Sequence, residues 1–282
     1  VAVYLDFDNI VISRYDQIHG RNSFQKDKAA GFHKEPGRLT TATVDVGAII
    51  DFASSFGTLV LTKAYADWSA DVNAEYRGQL VGRAVDLVQL FPAAAYAKNG
   101  ADIRLAVDAV EDMFRLPDLT HVVIVAGDSD YIALAQRCKR LGRYVVGIGI
   151  TGSISKSLTA ACDEFVSYDA LPGAPVVVPA AAPKRSTRRT KAEPGDESEA
   201  PDPQAAATGL LERALRIGHE KDDADWLHNS AVKAQMKRMD PSFSEKSLGF
   251  RSFSDFLRSH SDVAELDESS TTRMVRLKTA AT

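Results

Sequence analysis

Over the first 170 residues, short apolar runs alternate with longer amphipathic stretches. Val1 to Leu5, Leu59 to Ala66, Leu87 to Phe91, Val122 to Ala126, Tyr144 to Ile148 and Phe165 to Tyr168 are brief and rich in β-branched or aromatic residues, the pattern of strands. Between them, Val46 to Phe56, Asn73 to Val85, Asp102 to Phe114, Tyr131 to Leu141 and Ser155 to Ala161 carry apolar residues at helical spacing. Strand and helix taking turns in this way predict a three-layer α/β/α domain with a mainly parallel sheet.

Two stretches break the rhythm. Residues 13 to 43 are polar and mixed in charge, with His19, Arg21, Lys26, Lys28, His33, Lys34 and Arg38. They read as a flexible insertion, a flap at the mouth of a site or an unstructured loop. From 171 to 208 the chain turns to Pro, Ala and charge, with a basic cluster (Lys184 to Lys191) ahead of an acidic one (Glu193 to Glu199). This reads as a disordered linker. Residues 209 to 280 then predict a small α+β domain. Leu210, Leu211, Ala214, Leu215 and Ile217 give one apolar helix face, Ala231, Met236 and Met239 a second, and Phe250, Phe253, Phe256 and Leu257 a third. Val263 to Leu266 and Met274 to Leu277 are spaced to pair as strands.

Composition narrows the picture only a little. With 45% hydrophobic and 26% charged residues in 282, the chain has ample material for a packed core. A net charge of -4 is too mild to name a partner. Two cysteines, Cys138 and Cys162, offer neither a disulfide framework nor zinc-ligand spacing, which suits a reducing, cytoplasmic setting. The opening apolar stretch is interrupted by Asp6 and Asp8 and has no basic leader, so it reads as neither a signal peptide nor a membrane span.

The chemistry lies in the acids. Asp6 and Asp8 follow the first strand, Asp67 the second, Asp102 opens the helix after the third, and Asp128 and Asp130 follow the fourth. In an open parallel sheet these ends converge on one crevice. Carboxylates gathered there repel unless a cation neutralises them, and oxygen ligands without His or Cys suit Mg²⁺ or Mn²⁺. Each acid also has a plainer reading: Asp102 and Asp128 stand where helix N-caps are expected. Asp6 and Asp67, with no helix expected directly after them, are harder to account for in that way.

Three segments carry a family resemblance. Tyr4-Leu5-Asp6-Phe7-Asp8-Asn9 resembles the first strand of NYN domains, Lys98-Asn99-Gly100-Ala101-Asp102 their Lys-Gly-x-Asp segment, and Gly127-Asp128-Ser129-Asp130-Tyr131 their Gly-Asp-Ser-Asp-Phe turn. The resemblance implies a PIN-like fold over residues 1 to 170 and metal-dependent cleavage of RNA to 5′-phosphate products. Asp6, Asp67, Asp102 and Asp128 would be catalytic. Asp6, Asp102, Asp128 and Asp130 would hold Mg²⁺ or Mn²⁺, and Asn9 and Lys98 would lie on the substrate side, where Ser155 is also expected from its own place beside the crevice. Asp108, a second helical acid, is turned away from Asp102 by an offset of six residues. The C-terminal region, through Asp225-Trp226-Leu227, Leu248-Gly249-Phe250 and Met274-Val275-Arg276-Leu277, resembles an OST-HTH/LOTUS domain. That implies a winged-helix-like module binding RNA or a protein partner, with Lys233, Lys237, Arg238, Lys246 and Arg251 as phosphate contacts. Two alternatives stay open. Asp6-Phe7-Asp8 also resembles the nucleophile strand of haloacid-dehalogenase phosphatases, and an NYN-like domain can bind RNA without cutting it. Gly147-Ile148-Gly149-Ile150-Thr151-Gly152 has the letters of a dinucleotide fingerprint but lacks the acid that should follow, and reads as a glycine-rich turn.

Overall fold

A computed structural model describes residues 1–32, 36–91, 100–175, 203–222, 225–269 and 273–278. The chain divides into two compact units, 1–177 and 178–282.

The first unit runs β1 (Ala2–Asp6), α1 (Phe7–His19), α2 (Ser23–Ala30), α3 (Pro36–Thr41), α4 (Val46–Ser54), β2 (Leu61–Ala66), α5 (Asp71–Ala74), α6 (Arg77–Val81), β3 (Asp86–Gln89), α7 (Gly100–Arg115), β4 (His121–Val125), α8 (Ile132–Arg140), β5 (Tyr144–Gly149), α9 (Lys156–Ala161) and β6 (Glu164–Ser167). The six strands form one parallel sheet in the order β3-β2-β1-β4-β5-β6. Successive residues point to opposite faces, and both faces are covered. Val3, Leu5, Val123, Val125, Val146 and Ile148 pack with Phe7 and Ile10 of α1, Ile49 of α4 and Leu80 of α6. Tyr4, Tyr65, Val122, Ile124 and Val145 pack with Leu105 and Met113 of α7, Leu134 and Cys138 of α8 and Leu158 of α9. A strand buried on both faces needs apolar residues at every position, which is why these strands stood out as unbroken runs. Cys138 and Cys162 are free and buried.

The strand order reverses between β1 and β4, so the loops after them diverge and leave a crevice. Asp6 closes β1, and Gly127 and Asp128 follow β4.

Residues 13–43, read as a loop, fold into the end of α1 and into α2 and α3. Tyr15 and Phe24 are buried, and their rings meet each other, His19 and Phe32. The Asp16 carboxylate accepts from the amides of Asn22 and Phe24, reversing the chain after Gly20. With so few buried side chains per element, no helical period is visible in the sequence. His33 and Lys34 lie outside the described residues. The single helix expected over 73–85 is divided into α5 and α6 by a turn at 75–76, and Asn73, inside α5, is buried and turns its amide inward.

The stretch 171–208, read as a linker, is structured at both ends. Leu171 is buried and the Pro175 carbonyl accepts from Arg14, while residues from Pro203 are helical. The basic and acidic clusters at 184–199 lie outside the described residues.

The second unit runs α10 (Pro203–Asp222), β7 (Leu227–His228), α11 (Asn229–Met239), α12 (Phe253–Ser259), β8 (Ala264–Asp267) and β9 (Met274–Leu277), with an antiparallel sheet in the order β7-β9-β8. Leu211, Leu215, Val232, Met236, Phe256, Leu257 and Val275 form its core. Ile217, read as part of the apolar face of its helix, is instead 40% exposed.

Candidate active site

The end of β1 passes straight into α1, and the local geometry follows from Asp6. Its carboxylate accepts the Asn9 amide at 3.2 Å as the N-cap of α1, so Asp6 does have a helix directly after it, contrary to the sequence expectation. Asn9 then reaches across the sheet, its Oδ1 accepting the Gly127 amide at 3.3 Å. The Gly127 carbonyl in turn accepts the Ser155 amide at 2.9 Å. A Cβ at Gly127 would stand 2.8 Å from the Ser153 carbonyl oxygen, so only glycine lets the β4 loop sit this close.

Asp6, Asp8, Asn9, Asp67, Asp102 and Asp128 line one cavity of about 310 Å³, together with Leu90, Phe91, Gly100 and Ala101. Two of these acids meet on a fully buried residue, Tyr131, to which the sequence analysis gave no role of its own. The Tyr131 hydroxyl lies 2.8 Å from Asp6 Oδ2 and 2.8 Å from Asp102 Oδ1. A phenol has one proton to donate. It satisfies one carboxylate, and the other must itself be protonated to bond the phenol oxygen or be neutralised by a cation. Burial, then the charges of Asp6 and Asp102, hold the Tyr131 hydroxyl firmly protonated.

Burial dominates the acids at the base. Asp6 is 3% exposed, and desolvation pushes its carboxyl up to about 7 against the hydrogen bonds from Tyr131 and Asn9. Asp102 is raised by desolvation, with the charges of Asp130 and Asp128 adding to it and the Tyr131 hydrogen bond opposing. Asp8 is raised chiefly by burial, although Asn73 Nδ2 donates to it at 2.6 Å and the Asp67 amide at 3.3 Å. At the rim the balance reverses. Ser69 and Gln89 donate to Asp67 and hold its carboxyl below the usual range.

The donor set is all hard oxygen, and no Lys or Arg is among the described residues lining the cavity. That chemistry fits a divalent cation such as Mg²⁺ or Mn²⁺. Among the described residues, however, no three His, Cys, Asp or Glu side chains are already grouped tightly enough to hold one.

The family model of the NYN domain matches residues 1–169. The chain belongs to the NYN family. NYN domains are part of the PIN-like nuclease superfamily, and the acids that line the cavity fall within the matched residues. The OST-HTH/LOTUS model matches residues 201–276, so an RNA-binding module follows the NYN domain in the same chain. A crystal structure of a protein of unknown function from Vibrio parahaemolyticus RIMD 2210633 is similar at 21% identity, over 59% of this chain and 90% of that one, with a TM-score of 0.43. No curated protein matches the chain.

Not every expected residue of the NYN domain joins the cavity. Asp130 is exposed on the turn after Asp128 and reaches Asp102 only through its charge. Asp128 does line the cavity, though it is exposed and its carboxylate accepts the Asp130 amide as a cap. Ser155 is the N-cap of α9, its hydroxyl accepting the Leu158 amide at 3.3 Å. Lys98 lies outside the described residues. Asp108 is turned toward the sheet, where Tyr65 donates to it at 3.0 Å and Arg104 pairs with it. Besides Tyr131, Asn73 was missed. Tyr131 stands in the quoted Gly-Asp-Ser-Asp-Tyr turn, where the family's Phe carries no hydroxyl, and Asn73 lies on a segment read as ordinary amphipathic helix. Lys28 of α2 is exposed, and its charge lowers Asp8 and Asp67.

In the OST-HTH/LOTUS unit the aromatics are core: Phe243, Phe253 and Phe256 pack ring on ring. Lys233, expected to contact phosphate, is ion-paired with the buried Glu245 at 2.5 Å. Arg238, Lys246 and Arg251 are exposed. Among the described residues no helix is long and apolar enough to cross a membrane.

Proposed function

We propose that the chain is a metal-dependent ribonuclease whose NYN domain cleaves RNA phosphodiesters and whose OST-HTH/LOTUS unit holds the substrate. The observation that carries this reading is the meeting of Asp6 and Asp102 on one Tyr131 hydroxyl, at the base of a cavity with three further aspartates on its wall. A buried acid and a half-buried one sharing one donor are unstable as a pair of bare anions, and a divalent cation removes that conflict.

Asp6, Asp102 and Asp128 would hold Mg²⁺ or Mn²⁺, with Asp130 outside them. The bound ions would supply an activated water and neutralise the scissile phosphate. Tyr131 fixes the rotamers of Asp6 and Asp102, and Asn9 ties the end of β1 to the loop that carries Asp128. Asn73 steadies Asp8 and the backbone of Asp67, which fixes the wall next to β2. Lys28 offers a cation to a substrate phosphate on that side.

Labelled RNA and DNA oligonucleotides incubated with Mn²⁺, with chelator, and with the Asp6→Asn variant test the proposal. Cleavage of RNA that requires Mn²⁺ and is lost in the variant is expected. RNA bound in a metal-dependent way but left intact would favour the non-cleaving alternative, and activity surviving both chelation and the substitution would end the metal mechanism.

A further inference from the structure

We propose that the outward face of α7 is a self-association surface, on which a second copy of the chain packs its own α7 antiparallel. This inference is independent of the catalytic reading. Helix α7 covers the sheet with Leu105, Asp108, Ala109, Asp112 and Met113. A helix lying on a single domain is normally polar on its opposite face. Here that face carries Ile103, 63% exposed, Val107, 57%, and Phe114, 66%, with the half-buried Val110 between them. The four stand at the spacing of a coiled-coil seam. Single exposed apolar residues are ordinary on any protein, whereas a continuous row marks a contact.

The row is symmetrical about the midpoint between Asp108 and Ala109. A copy laid antiparallel therefore sets Ile103 against Phe114 of the second copy and Val107 against its Val110, the same at both ends, as a two-fold contact demands. Charge selects the direction. Arg104 and Glu111 lie along one flank of the row, near opposite ends, with side chains 60% and 61% exposed. Antiparallel packing brings each Arg104 alongside Glu111 of the second copy. Parallel packing would put the two charged flanks on opposite sides of the seam, and neither pair could form. Arg104 meets Asp108 through Nε and Glu111 stands 3.8 Å from Arg115, and both side chains stay more than half exposed.

Sedimentation velocity of the full chain over a range of micromolar concentrations should show a monomer–dimer equilibrium. Val107→Glu, which places two carboxylates beside the two-fold axis, should raise the dimer dissociation constant on the order of tenfold or more and leave circular dichroism unchanged, together with the thermal melt at concentrations where wild type is monomeric. A second measurement does not depend on that variant. When Ile103→Cys and Phe114→Cys chains are mixed and oxidised, a disulfide-linked dimer should form. Neither variant alone should cross-link, because like positions would stand roughly 16 Å apart along the axis at 1.5 Å per residue, beyond disulfide reach. The native cysteines are buried and should not interfere. A monomer at every concentration, a dimer indifferent to Val107→Glu, or cross-linking within either single variant would each overturn the proposal. So would a monomer whose melt drops in Val107→Glu, since the face would then be covered by the chain's own second unit.

Discussion

Replacing Asp6 by Asn should make the metal-free protein more stable at pH 8 while abolishing cleavage. Asn is a good N-cap, so α1 keeps its start, and the new side chain is nearly isosteric. What changes is the charge. Raising a carboxyl from 3.8 to about 7 means that the folded state holds a proton that the unfolded state has released. The stability from that proton is complete below about pH 4 and is lost as pH rises through about 7. The whole effect amounts to about 4 kcal/mol, of which about 3 kcal/mol falls between pH 5 and pH 8. Other groups titrate over the same interval, so the quantity to measure is the stability of wild type minus that of Asp6→Asn at each pH. Urea unfolding in chelator serves, followed by Trp68 fluorescence in a Trp226→Phe background that silences the second unit. The difference should move against wild type by about 2 to 3 kcal/mol from pH 5 to pH 8, and saturating Mn²⁺ should reverse it by binding the ionised acids. A difference constant within about 0.5 kcal/mol would refute the argument that Asp6 is held as a strained buried acid.

Three further outcomes follow from the same geometry. Tyr131→Phe removes one hydroxyl and leaves the ring packed; it should lower cleavage by about ten- to a hundredfold and raise the Mn²⁺ concentration for half-activation, as read by metal titration with both activity and Mn²⁺ binding. Ser155→Ala should cost about 1 kcal/mol of stability as a lost cap with cleavage per folded molecule unchanged, and a large rise in KM for RNA would instead return Ser155 to the substrate. Gly127→Ala should push the β4 loop off Ser153, costing about 1 to 3 kcal/mol and most of the activity, which denaturation and cleavage assays together would show.

The sequence by itself determined the layers of the NYN domain, because strands buried on both faces must be apolar throughout and the helices between them must be amphipathic. It also pointed to Asp6, Asp67, Asp102 and Asp128, since acids just past apolar runs fall at the carboxyl ends of parallel strands. Three things were decided only by the tertiary structure. The described parts of 13–43 fold into helices whose Tyr15 and Phe24 rings pack together, a contact between elements that leaves no period in either. Asn73 turns its amide to Asp8 and the Asp67 carbonyl, over 60 residues away in the first case. Tyr131 reads as the opening apolar residue of α8, yet its hydroxyl joins Asp6, 125 residues back, to Asp102. A sequence pattern reports which side of an element is buried. Where the polar end of a buried side chain comes to rest depends on the neighbouring strands and helices, and that is where Tyr131 acquires its part in the site.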